Sequence, residues 1–144
     1  MLVDLRGFGY SGGPRGAAEV TDLQNDVIHM LKKAREDLPL FLYAHSLGGL
    51  ITIKLLLEKD ELNISGCVIT SPLLGMGKSI KNPWLKVQTL KLMGDGLSDF
   101  ILNSKVNPTA LTKKTKYLHT IFEDRMMLPF LCVNMAKSIF EALE

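Results

Sequence analysis

"YAHSLGGL", residues 43 to 50, decides how this chain is read. It closes one apolar run, "LPLFLY" at 38–43, and opens another, "LITIKLLLE" at 50–58. A short continuous apolar run reads as a strand covered by helices on both faces, which means a parallel sheet. The longer apolar segment with a polar tail reads as a buried helix. Ser46 falls where the strand must turn into the helix. A turn that sharp strains the serine backbone and lifts its hydroxyl above the sheet edge. Neighbouring backbone then comes close, so small residues are needed two before and two after, and Ala44 and Gly48 supply them. Gly49 allows tight helix–strand packing. The new helix aims its N-terminal amides and positive dipole end at the serine. Ser46 is therefore the candidate nucleophile, the backbone N–H of Leu47 the candidate oxyanion-hole donor, and Ala44, His45, Gly48 and Gly49 the residues that shape the turn. Serines also arise by chance in glycine-containing turns. The strand before and the helix after favour the chemical reading.

Upstream, "MLVDL" (1–5) reads as a strand stopped by a tight turn at Arg6-Gly7-Phe8-Gly9. Thr21-Asp22-Leu23-Gln24 has the form of a capping box opening a helix. Leu23, Val27, Met30, Leu31 and Ala34 share one face of that helix, whose basic end, Lys32, Lys33 and Arg35, suits a C-terminal dipole. Downstream, "SGCVITSP" reads as a third short strand stopped by Pro72. Strand–helix alternation gives an α/β class with about three parallel strands. From Leu73 the pattern changes, and no further strand signal stands out. "WLKVQTLKLM" and "MLPFLCVNMAKSIFEALE" read as helices, the second with Leu128, Leu131, Met135, Ile139 and Ala142 on one face. "NSKVNPTALTKKTKYLHTIFEDR" between them reads mostly as loop. The division expected is a partial core at 1–74 and a helical cap at 75–144.

The chain has 144 residues, 47% hydrophobic and 22% charged, the balance of one globular domain. A net charge of +2, with the cations scattered, argues against a nucleic-acid partner. Cys67 and Cys132 read as buried free thiols rather than a disulfide framework. No apolar run approaches a membrane span of roughly 18 residues, and the expected location is cytoplasmic or membrane-peripheral. No His/Cys cluster has metal spacing. "GFGYSGGPRG" lacks the lysine of a phosphate loop, so neither metal nor cofactor is called for.

Three segments together carry a family resemblance. "DLRGFGYSGGPRG", "FLYAHSLGGLITIKLLLE" and "GCVITSPLLGM" resemble successive segments of α/β-hydrolases, nearest the monoacylglycerol lipase and lysophospholipase branch, also described as serine aminopeptidase-like. The family's D-x-R-G-x-G-x-S stretch is matched by Asp4, Arg6, Gly7, Gly9 and Ser11. "NPTALT", "EDRMMLPF" and the final helix look like the family's cap. The resemblance implies Ser46 as nucleophile and the Leu47 amide as oxyanion donor. It makes His45 the variable position of the motif, not the general base, and makes Asp4 and Arg6 loop-shaping residues.

The resemblance also implies parts not matched here. The second oxyanion donor would precede residue 1, and the catalytic acid and histidine would follow the cap. The strands at "LFLYA" and "GCVITS" would be neighbours, while "MLVDL" would be separated from them by a further strand. His29 reads as a partly buried helix residue, and His119 as a surface residue. The expected function is hydrolysis of a lipid-like ester, of monoacylglycerol or lysophospholipid type, through an acyl-serine, with base and acid outside this chain. Leu73, Leu74, Met76, Trp84, Leu92 and Met93 are the candidates to line an apolar acyl site, and the cap offers peripheral contact with a membrane. The alternative is an inactive truncated fragment or binding module. Whether a second chain completes the sheet stays open at this point.

Overall fold

The computed structural model describes residues 1–59, 62–75, 89, 100–103, 109 and 112–144. Helix α1 spans Val20–Leu31 and strand β1 Phe41–His45. Helix α2 spans Leu47–Glu58 and strand β2 Gly66–Thr70. Then come β3 at Ile101–Asn103, a 3₁₀ turn at Thr115–Tyr117, α3 at Leu118–Glu123, β4 at Phe130–Cys132 and α4 at Val133–Ala142.

β1 and β2 pair in parallel, Phe41 opposite Gly66 through His45 opposite Thr70. They are direct neighbours, as the family resemblance implied. Of the three strands read from the sequence, these two form. Residues 1–5 adopt no strand, and Met1, Leu2 and Val3 are exposed. A strand needs a ladder partner for its backbone groups, and no described strand lies beside them.

The helices cover one face of this sheet. Gly49 of α2 sits against Ile69 of β2, and α1 and α4 close the same core. Ala18, Val20, Leu23, Leu50, Ile51, Leu55, Met135 and Ile139 are buried together. Leu23, Leu55 and Met135 are wholly inaccessible. Burial of that kind stabilises by roughly 1.5–3 kcal/mol per large side chain. The opposite face was expected to be covered and is open. Among the described residues no element packs over Phe41 (67% exposed), Tyr43 (72%) or Val68 (58%). Cys67, expected to be buried, is exposed, because no described element reaches over it on β2; Cys132 is buried, and neither forms a disulfide.

The start of α1 differs from the sequence reading by two residues. Glu19 is the N-cap, and its N–H is reached by the Asp22 carboxylate at 3.4 Å. The cause is tertiary. The Val20 N–H donates to Ser138 Oγ of α4 at 2.8 Å, and Asn134 Nδ2 donates to Glu19 Oε1 at 2.9 Å. Gln24, read as a cap residue, is buried and donates to Glu58 Oε2 of α2 at 2.9 Å.

The second half holds strand that the sequence reading missed. β3 and β4 pair antiparallel, Ile101 opposite Cys132. "MLPFLCVNMAKSIFEALE" is therefore a strand followed by a helix, not one helix. Met135, Ile139 and Ala142 keep the helical face; Leu128 and Leu131 lie outside it. The break sits at Cys132, whose N–H donates to the Gly16 carbonyl at 2.7 Å. The stretch read mostly as loop contains α3. "WLKVQTLKLM" lies outside the described residues apart from Thr89.

Candidate active site

Ser46 stands between the last residue of β1 and the first of α2, at the carboxyl end of the parallel strands. That end is where open α/β sheets place their ligands. Its backbone has φ 52° and ψ −118°, a region that costs a residue with a side chain of order 1–3 kcal/mol. Hydrogen bonds on both sides hold it there. The Ser46 N–H donates to the Thr70 carbonyl at 3.1 Å, and the Ser46 carbonyl accepts from Gly49 at 3.0 Å, Leu50 at 3.3 Å and Leu73 at 3.1 Å. The side chain is exposed, and among the described residues no group bonds its hydroxyl.

Leu47 opens α2 and packs its side chain against the core. Its N–H donates to none of the described residues. The positive end of the helix dipole lies at Ser46, with no acidic side chain in the first turn to offset it. An oxygen bearing negative charge beside Ser46 would meet this amide and this dipole.

The two glycines of this turn differ in how closely they are approached. A Cβ on Gly49 would lie 2.9 Å from Ile69 Cγ2 and Pro72 Cβ, and 3.0 Å from Pro72 Cα. A Cβ on Gly48 would meet only Ala44 Cβ, at 3.9 Å. The close approach is therefore at Gly49, and Gly48 has room because Ala44 is small.

His45 is exposed, with Nδ1 at 2.9 Å from Thr70 Oγ1. His29, expected to be partly buried, is exposed on α1; the core takes Leu23 and the flanking Val27 and Ile28 instead. His119 Nε2 pairs with Glu123 at 3.1 Å on exposed α3. These are the three histidines of the chain, and none bonds the Ser46 hydroxyl.

Of the proposed acyl-site residues, Leu73 is half-buried against the core and reaches Ser46 through its backbone. Leu74 is 62% exposed. Met76, Trp84, Leu92 and Met93 lie outside the described residues. Sequence reasoning missed Thr70, which only the strand register places opposite His45.

Asp4 and Arg6 build the loop before α1. The Asp4 carboxylate accepts the Tyr10 N–H at 2.9 Å, and its carbonyl accepts the Ser11 hydroxyl at 2.6 Å. Arg6 donates to both oxygens of Asp26, at 2.8 Å and 2.6 Å. A cavity of about 430 Å³ lies at the other end of the sheet, where Leu38 and Leu40 lead into β1 and Leu62 and Ile64 into β2. It is remote from Ser46. Among the described residues no cluster of three His, Cys, Asp or Glu could hold a metal, and no helix is long and apolar enough to cross a membrane.

Comparison with known proteins agrees with this geometry. A crystal structure of Paleococcus ferrophilus monoacylglycerol lipase superposes with a TM-score of 0.85 at 24% identity, over 97% of this chain and 52% of that one. At that identity the match speaks for the fold, the α/β-hydrolase fold. Phospholipase YtpA of Bacillus subtilis is 36% identical over 78 residues, 53% of this chain and 30% of its own. An uncharacterized abhydrolase domain-containing protein of Dictyostelium discoideum is 28% identical over 142 residues, 98% of this chain and 15% of its own. The chain thus spans a minor part of these curated relatives and about half of the solved structure. The family model of the serine aminopeptidases, S33, matches residues 1–144. With that match over the full sequence, a strained serine between a parallel strand and a buried helix, and the α/β-hydrolase fold around it, the chain belongs to the serine aminopeptidase S33 family.

Proposed function

We propose that the chain carries the nucleophile of a serine hydrolase acting on a carboxylic ester of lipid type. One observation carries the reading. Ser46 is held in a strained conformation at the carboxyl end of β1, its hydroxyl exposed and the adjacent Leu47 N–H without a partner among the described residues. In the proposed reaction Ser46 Oγ attacks the ester carbonyl carbon and its proton passes to a general base. The carbonyl oxygen, now negative, is held in part by the Leu47 amide. The carbon–oxygen bond to the alcohol breaks, the alcohol leaves with the proton, and an acyl-serine remains. Water then attacks the acyl carbon, releasing the carboxylic acid and the free serine.

The base and acid are assigned to residues outside this chain. The placement of the histidines supports this, since His29, His45 and His119 are engaged or exposed elsewhere. Residues 75–144 are assigned the cap, except that their last helix, α4, packs with α1 and α2 in the core, and Leu73, Leu74, Met76, Trp84, Leu92 and Met93 are assigned to line the acyl site. The lipid substrate is suggested by the names of the relatives, a phospholipase and a monoacylglycerol lipase. A location at or near a membrane surface fits the same substrate.

The test compares three proteins on a short-chain p-nitrophenyl ester and on a monoacylglycerol. The full-length natural protein should turn both over. Its Ser46→Ala variant should lose at least a thousandfold in kcat, roughly the scale of removing a catalytic serine. The 144-residue chain alone should show negligible turnover. Activity that survives Ser46→Ala in the full-length protein refutes the assignment. Turnover by the 144-residue chain that vanishes with Ser46→Ala refutes the placement of base and acid outside it.

A further inference from the structure

We propose that Thr70 is a positioning residue for the nucleophile, clamping the strand–helix turn from the neighbouring strand; this rests on the reading of Ser46 as that nucleophile. The register places Thr70 opposite His45. From there one residue engages four in succession. Its carbonyl accepts the Ser46 N–H at 3.1 Å. Its hydroxyl lies 2.9 Å from His45 Nδ1 and, more weakly, 3.4 Å from the Ala44 carbonyl and from the Tyr43 hydroxyl.

The chain then turns back. Ser71 takes φ 43°, and Leu73 returns to donate to the Ser46 carbonyl at 3.1 Å. Both backbone polar groups of Ser46 are thus tied to the segment 70–73. The strained serine needs such surroundings to stay in place. The side-chain half of the clamp matters because the sheet face carrying Tyr43 and His45 is open. Among the described residues no other side chain bonds His45. When the Thr70 hydroxyl donates to the Ala44 carbonyl, its lone pair accepts from Nδ1–H of His45. The imidazole is then held as the Nδ1–H tautomer, and the backbone leading into Ser46 is fixed from both sides.

Thr70→Val keeps the shape and the backbone carbonyl but removes the hydroxyl. In the full-length protein its kcat on a p-nitrophenyl ester should fall about tenfold, the scale of one lost hydrogen bond at a group whose placement governs rate. KM should stay within about twofold, and Thr70→Ser, which keeps the hydroxyl, should restore kcat to within about twofold of wild type. Ser46→Ala runs beside them. Wild-type kcat in Thr70→Val with Ser46→Ala inactive overturns the clamp and leaves the nucleophile standing. Equal losses in Thr70→Val and Thr70→Ser also overturn it. Activity persisting in Ser46→Ala overturns the nucleophile itself. The ¹⁵N shifts of the His45 ring in the wild-type protein give a readout that needs no variant. A predominantly Nδ1–H ring is expected, and a predominantly Nε2–H ring contradicts the hydroxyl's role.

Discussion

Alanine at Gly49 and alanine at Gly48 should act in opposite directions, although the two glycines are adjacent on one helix turn. At Gly49 the new methyl would lie 2.9 Å from Ile69 Cγ2 and 3.0 Å from Pro72 Cα. Ile69 belongs to β2, and Pro72 follows it with backbone hydrogen-bonded back to Ser46 through Leu73. Neither can move aside without disturbing the sheet or the turn. Overpacking of that kind costs about 1–3 kcal/mol, against which alanine regains up to about 1 kcal/mol of helix propensity. With the full propensity gain the net loss is up to about 2 kcal/mol, or up to about 8 °C in Tm for a chain of this size. At Gly48 the methyl meets only Ala44 Cβ at 3.9 Å, an ordinary contact. Propensity and the reduced freedom of the unfolded chain then act alone, so Gly48→Ala should be neutral or stabilising by up to about 1 kcal/mol. Urea unfolding followed by circular dichroism on both variants measures the difference. A destabilised Gly48→Ala beside an unaffected Gly49→Ala would refute the placement of the close approach.

Met135→Ala should cost about 2–4 kcal/mol in the same assay, since Met135 is fully buried and joins α4 to the core of α1 and α2; a loss below 1 kcal/mol would mean that α4 contributes little. Glu58 is held below its ordinary carboxylate range, first by the Gln24 amide hydrogen bond and then by Lys54. Its folded pKa is the lower one, so its contribution is complete above the unfolded value of about 4.3 and is lost as pH falls through the folded value. Glu58→Gln should accordingly flatten the acid limb of the stability–pH curve, and an unchanged limb would contradict the pairing. The Arg6–Asp26 pair is about 40% and 36% exposed, so a double-mutant cycle between them should give a coupling of no more than about 1 kcal/mol despite its two short hydrogen bonds.

The first half of the fold was legible because its signals are local. The apolar run to Tyr43, the glycines after Ser46 and the helix-length apolar segment beyond them determine β1, the turn and α2 without reference to distant residues. What was illegible depends on distant partners. α1 begins at Val20 because Ser138 and Asn134 of α4 bind its first turn, and no local pattern contains that. "MLVDL" has the composition of a strand but no described neighbour to pair with. β4 was hidden because Phe130, Leu131 and Cys132 run into α4 with no glycine or proline between them to mark the change. The choice between strand and helix was made by pairing with Ile101–Asn103. At the site, Ser46 and Leu47 were visible from the motif. Thr70 was not, because its role follows from register alone. Close approach was expected at Ala44 and Gly48 in the turn and at Gly49 against the sheet; the tight contacts lie at Gly49, and Gly48 has room.

The most direct test of the central claim is to find where a serine-reactive fluorophosphonate attaches in the full-length natural protein. After labelling and trypsin digestion, the peptide Glu36–Lys54 contains Ser46 as its one serine. The account predicts a stoichiometric adduct on Ser46, read by fragmentation in the mass spectrometer, together with loss of ester turnover. Loss of turnover with the adduct on another residue, or turnover that persists after Ser46 is fully labelled, would contradict it.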